Sequence, residues 1–231
     1  VTSVYPTTLP SSGTTTLTIT GAGFDKASSI VLSTGGKDYA LESFVQNAMG
    51  DLVATVDCAT LQAGAVYTLT VSDENNAVSL TNAISVTKAE GKGELVANLI
   101  LPESARQGRI AVGYIEYTNV GTADMDAPIF KVMGWREGGQ KTDIETALST
   151  TIDGEFTGEI LLVGISATHP AGLLKIGETN RIPFYYNVNS AFSLRLAAID
   201  AQSTSTRDSI YPTWQSFSKA ISDATTELNR F

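Results

Sequence analysis

"TTTLTITGAGF", Thr14 to Phe24, decides the fold class. Leu17 and Ile19 fall on one side of an extended chain and Thr16, Thr18 and Thr20 on the other, the two-residue period of a half-buried strand. Gly21 and Gly23 then end it. The neighbouring stretches have the same texture. "SSIVLSTGGKDYALESF" (28–44) predicts a hairpin about Gly35-Gly36, a dipeptide that tolerates positive φ. "GDLVATVD" (50–57) is a further strand, and "GAVYTLTVSDENNAVSLTNAISV" (64–86) gives two more around a polar Asp73–Asn76 turn. About seven short strands at regular spacing, with turn signals between them and no helix, predict an all-β sandwich.

At 231 residues the chain is long enough for two such units. "KAEGKGE", Lys88 to Glu94, is a charged, glycine-containing connector and marks the expected boundary. Beyond it come "ELVANLILP", "GRIAVGYIEYTN", "APIFKVMGW", "GEILLVGI", "NRIPFYYNV" and "FSLRLAAID", again short β-rich runs bounded by Gly, Pro and Asn. The end differs. In "YPTWQSFSKAISDATTELNRF", Trp214, Phe217, Ile221, Ala224, Leu228 and Phe231 recur at three- and four-residue spacing, with Pro212 suited to a first helical turn. This predicts an amphipathic helix over 209–231 that packs on the second sandwich or leads into a neighbouring domain. The expected division is 1–88, a linker 89–93, a second sandwich 94–208 and the helix.

Charge limits the partners. Residues 1–90 carry three Lys/Arg against eight Asp/Glu, net −5, and residues 91–231 carry twelve against sixteen, net −4. Nucleic acid is therefore not an expected partner, because non-specific affinity for phosphate comes from Lys and Arg displacing counterions. No apolar run reaches the length of a membrane span, so no membrane insertion is expected. The single Cys58 excludes an intrachain disulfide and a thiolate metal cluster. With Val1 in place of an initiator Met, the chain reads as a processed or excised piece of a longer protein.

Two resemblances follow from these residues. "VYPTTLPSSGTTTLTITGAGF" (4–24) and "AGAVYTLTVSDENNAVSLTNAISV" (63–86) resemble, in order, the IPT/TIG immunoglobulin-like domain: a short strand ending in Pro, a Gly-Thr stretch, an "ItGxxF" strand and a late "aGxYtvtV" strand. The resemblance covers Val1 to about Thr87. It implies a sandwich used as a spacer or adhesive module of surface proteins, as an accessory domain of polysaccharide-acting enzymes, or as a DNA-binding domain. The last sits badly with three basic side chains. "LP…RQGR…YIEYTNVGTADMDAPIFKV…GLLKIGETNRIPFYY", roughly 94–200, resembles the cell-adhesion-related sandwich modules repeated in large bacterial extracellular proteins.

Chemistry-bearing groups are few. His169 is the only histidine, and no G-x-S-x-G elbow accompanies it, so neither a catalytic triad nor a multi-histidine zinc site is expected. Cys58 is expected at a strand end as a small, partly buried hydrophobe. In "YTNVGTADMDAP" (117–128), Asp124 and Asp126 are hard oxygen donors of the kind calcium takes, and Asp73 with Asn75 forms a second such group. Neither matches the spaced calcium-loop pattern, and Asp and Asn populate turns for their own reasons. The turn reading is preferred, with a structural calcium as its alternative and no other cofactor expected. On it, Asn119 bonds the backbone across the strand crossover, Gly121 supplies the turn and Pro128 begins a strand where its missing N–H does no harm. Trp135, Tyr185, Tyr186 and Trp214 are candidates for a sugar-stacking face, with Tyr185 expected outward and Phe184 and Tyr186 inward.

The expected architecture is all-β: two tandem immunoglobulin-like sandwiches and a short C-terminal helix. The expected function is non-catalytic, a spacer, display or adhesive unit of a bacterial surface or secreted protein. Its partners would be neighbouring domains and a glycan or cell-surface ligand. The alternative is an accessory carbohydrate-binding module of a polysaccharide-acting enzyme.

Overall fold

The computed structural model describes residues 1–106, 108–136, 148–164, 172–187 and 192–199. The predicted C-terminal helix, His169 and Trp214 lie outside them.

Residues 3–86 form nine strands: β1 (Ser3–Tyr5), β2 (Thr8–Leu9), β3 (Thr14–Thr20), β4 (Ser29–Thr34), β5 (Lys37–Ala40), β6 (Phe44–Gln46), β7 (Leu52–Asp57), β8 (Val66–Ser72) and β9 (Ala77–Val86). They make two sheets, in the orders β1-β3-β7-β6 and β2-β9-β8-β4-β5. Leu17 and Ile19 point into a core with Ile30, Leu32, Tyr67, Leu69 and Ile84, all fully buried. The β4–β5 hairpin closes with Thr34 opposite Lys37, and Gly35 and Gly36 have φ of 53° and 78°, the two positive values of a type I′ turn. β2 runs parallel to β9, with Ser85 N donating to Thr7 O at 2.9 Å and Thr87 N to Leu9 O at 2.8 Å.

The second unit has its own core of Ile115, Tyr117, Phe130, Val132, Leu148, Leu174 and Phe184. One sheet orders β10 (Leu95–Ile100), β11 (Ile110–Asn119), β17 (Thr179–Asn187) and β14 (Leu148–Ser149) as β10-β11-β17-β14. The other orders β13 (Ile129–Arg136), β15 (Glu159–Val163) and β18 (Phe192–Ile199) as β15-β13-β18. A short pair, β12 (Met125–Asp126) with β16 (Leu173–Leu174), closes the end nearest the first unit. Phe184 and Tyr186 point inward and Tyr185 outward, as period-2 alternation requires.

At the end of β11 the crossover is organised by Asn119, which is fully buried. Its Nδ2 donates to Ala123 O at 2.8 Å and Leu174 O at 3.1 Å, and its Oδ1 accepts from Glu94 N at 3.1 Å and Gly121 N at 3.0 Å. Its backbone N–H and C=O bond Glu178 O and Gly177 N. Gly121 serves a close approach, since an added Cβ would run into the Lys92 carbonyl and the Glu94 N–H.

Asn119→Ala strands two N–H groups and two carbonyls at once. Each unsatisfied buried group costs about 1–3 kcal/mol, so a loss of at least about 3 kcal/mol is expected in chemical denaturation. A loss under about 1 kcal/mol would show that water replaces the amide at this crossover.

Candidate functional site

The chemically distinctive region is the seam between the two units, where groups that read as surface residues in sequence are buried together. Thr16 and Thr18 point away from the first core, on the outer face of the β1-β3-β7-β6 sheet, with Val53 beside Thr18. Thr16 is 1% exposed and Val53 2%, so the middle of this outer face is covered. The cover comes from residues 122–126 and 173–178 of the second unit. Asp124 N donates to Thr14 O at 2.9 Å, and Lys175 Nζ donates to Thr18 Oγ1 at 2.6 Å.

The connector is bonded on both sides. Ser11 N donates to Ala89 O at 2.8 Å and Gly91 N to Ser12 Oγ at 3.1 Å, which holds it to the first unit. Lys92 N donates to Thr122 Oγ1 at 3.1 Å and Thr122 N to Lys92 O at 2.8 Å, which holds it to the second. Gly91 is required for closeness: an added Cβ would collide with the Ser12 carbonyl, Pro10 and Ala123.

Two opposite charges sit in this seam. Burial pushes the Asp124 carboxyl above its ordinary range, opposed by Thr16, the Ile176 N–H and the Lys175 charge. Its Oδ1 accepts from Ile176 N at 3.0 Å. Among the described residues, its Oδ2 and the Thr16 hydroxyl are buried without a well-formed hydrogen bond. Burial pushes the Lys175 ammonium below its ordinary value, opposed by Glu178, Asp124 and Asp51. Cys58 lies behind β3, fully buried, with Sγ 3.5 Å from Thr15 Oγ1, and desolvation raises its thiol pKa. A buried, protonated thiol is a packing group and a poor nucleophile.

The other candidates from the sequence lie apart. Asp126 is on β12 and exposed, while Asp124 turns into the seam. Asp73 Oδ1 accepts from Asn75 N at 2.7 Å and Asn76 N at 2.6 Å, an Asx turn whose N–H bonds hold the carboxyl below its usual range. Among the described residues, no group of three or more His, Cys, Asp or Glu side chains is placed to hold a metal ion. Trp135 pairs through its backbone with Ser193, and its side chain lies outside the described residues. Tyr185 is half-buried on the outer face of its sheet, opposite Val112 and Ser149. Tyr114, two residue pairs along and 40% exposed, shares that face. Sequence reading missed Lys175, Thr16 and Thr18, and only their burial reveals them.

The IPT/TIG domain family model matches residues 1–86. No curated protein matches the chain. Among solved structures, the chain is similar to a titin A168–A169 fragment, at 13% identity over 86% of this chain and 95% of that one, with a TM-score of 0.28. It is also similar to a DUF3823 family protein from Bacteroides ovatus, at 10% identity over 84% and 93%, with a TM-score of 0.25. At such scores these two likenesses carry no weight, and the fold rests on the strands, sheets and cores themselves. IPT/TIG domains are typically non-catalytic, in keeping with a structural module.

A carboxyl whose folded pKa is raised favours folding below its unfolded value, and that contribution is lost as pH rises through the folded one. The Asp124 contribution should therefore decline as pH climbs from the ordinary 3.8 and then level off. Asp124→Asn keeps an acceptor for Ile176 N and removes the titration. Denaturation curves of the two proteins across pH 3–8 should show their stability difference changing in that window only. A difference flat across the whole range would mean that Asp124 titrates alike folded and unfolded.

Proposed function

We propose that the chain is a non-catalytic structural module in which two sandwiches act as one stiff unit, a spacer or display element of a surface or secreted protein. The observation that carries this reading is the seam: a connector bonded on both sides and a sheet face buried by the neighbouring unit. A hinge would leave Thr16, Thr18 and Val53 wet, and ordering the connector costs backbone entropy that a flexible tether would not lose. An extracellular setting is part of the proposal, supported by the resemblance of both halves to modules of such proteins. Among the described residues, no helix is long and apolar enough to cross a membrane.

A second reading, glycan binding, is favoured by one arrangement. Tyr114 and Tyr185 stand diagonally on neighbouring strands of one outer face, with Pro183 opposite Tyr114. Such diagonal positions are about 7–8 Å apart, within reach of one bound sugar chain. The flanking Glu116–Arg181 pair, at 2.7 Å, leaves the face without net charge and suits a neutral polysaccharide.

Backbone ¹⁵N relaxation separates a stiff unit from a tethered pair. A single rotational correlation time is expected for both halves, and the Lys175→Ala, Thr18→Val double variant should loosen them. Independent tumbling in the unaltered protein would end the stiff-unit reading. For the second reading, neutral polysaccharides titrated into the protein should shift the resonances of Tyr114 and Tyr185, and Tyr114→Ala should abolish the shifts. Unmoved resonances would remove glycan binding at this face.

A further inference from the structure

The seam has a direction. The first unit contributes the outer face of its β1-β3-β7-β6 sheet, and the second contributes an end, made of the crossover after β11 and the turn before β17. Both parts recur in both units. β11 and β17 pair antiparallel in the middle of their sheet as β3 and β7 do in theirs. Counted back from the last outward residues, Thr118 and Thr20, the outer positions Val112, Tyr114 and Glu116 correspond to Thr14, Thr16 and Thr18. Met49-Gly50-Asp51 leads into β7 as Ile176-Gly177-Glu178 leads into β17, with φ of 89° and 72° at the two glycines. Within the chain, the 175–177 turn meets the first unit's face: Lys175 bonds Thr18, and a Cβ added at Gly177 would stand 2.9 Å from Tyr5 Oη. The remaining two parts are exposed. Tyr114 is 40% exposed where Thr16 is 1%, and Met49 is 81% exposed where Ile176 is half-buried.

We propose that the exposed turn of one copy of this chain docks on the exposed face of a second copy, repeating the seam between molecules, head to tail. The turn is built for docking. Asn47 Oδ1 accepts from Met49 N and Asp51 N, both at 2.9 Å, and Gln46 Nε2 donates to Gly50 O at 2.9 Å. A methionine already held on an ordered turn leaves little backbone entropy to be lost on contact. The face suits it: Tyr114 and Tyr185 stand with Pro183 between their strands, and a thioether packs well against aromatic rings. The Glu116–Arg181 pair beside them is already neutralised, so an apolar tip meets no unpaired charge there. Because turn and face are different surfaces, the contact is heterologous and can continue from copy to copy. The inference takes the seam as its template and stands apart from the spacer reading. It competes with the glycan reading, since both use Tyr114.

Sedimentation equilibrium of the full chain tests the contact. Average mass should climb with concentration and pass that of a dimer, over a range reaching about 1 mM, where weak transient contacts are populated. Met49→Asp and Tyr114→Asp, both at exposed positions, should each lower the association constant at least about tenfold. Mixed in equal amounts, the two variants should recover one step and stop at a dimer, because one keeps its face and the other its turn. A chain that stays monomeric throughout overturns the inference and returns the face to a glycan or another protein. A mass that levels off at a dimer in the unaltered chain overturns it as well, since that is a closed contact. So does association indifferent to either variant, or a mixture no heavier than its components.

Discussion

The fully buried amide of Asn119 is the interaction on which the arrangement depends. An amide has two donors and two acceptor lone pairs, and inside a protein each unmet one is costly. Here all four are met by backbone groups of three separate segments: the connector at Glu94, the crossover at Gly121 and Ala123, and the β16 region at Leu174. Because those segments carry Asp124, Lys175 and Thr122, one satisfied side chain ties together the stretches from which Asp124 and Lys175 bond the first unit and Thr122 the connector. No apolar residue of similar size could replace it, since none would offer both donors and acceptors.

The seam built on this crossover combines close backbone approach with two desolvated charges. Such a pair gives direction more than strength, because the cost of burying ions offsets much of their attraction. Lys175 has one good acceptor in Thr18 and three carboxylates nearby, so a slip of the interface would strand an ammonium away from water. The glycine at position 91 works differently, by letting the connector lie flat against Ser12 and Ala123. Charge specifies the relative placement and small residues permit it.

Much of the fold was legible because its residues obey local rules. Leu17 and Ile19 alternate with threonines, Gly35-Gly36 supplies the two positive φ values, and "FYY" sorts itself into two faces. Asn119 was legible as a backbone binder from its N-x-G context, though not the number of segments it joins. The seam was invisible because a strand face covered by another unit keeps the polar alternation of a face covered by water. Thr16 and Thr18 look alike in either setting. Asp124 and Asp126 read as a matched pair of oxygen donors, yet two residues apart on a short crossover they are sent in different directions. The connector was read from charge and glycine, whereas the hydroxyls that hold it, on Ser12 and Thr122, lie far from it in sequence and look there like any other Ser or Thr of a turn.

The parallel pairing of β2 with β9 has a mechanical consequence. Strands from opposite ends of the first unit's sequence lie side by side and point the same way, so tension applied along the chain draws them past each other lengthwise. The bonds from Ser85 and Thr87 to Thr7 and Leu9, with the Ser11–Ala89 bond beyond them, then share the load at once instead of parting in turn. A zipper opens under small force; a clasp loaded in shear does not. The first sandwich is thus braced along the axis in which a tethered protein is pulled.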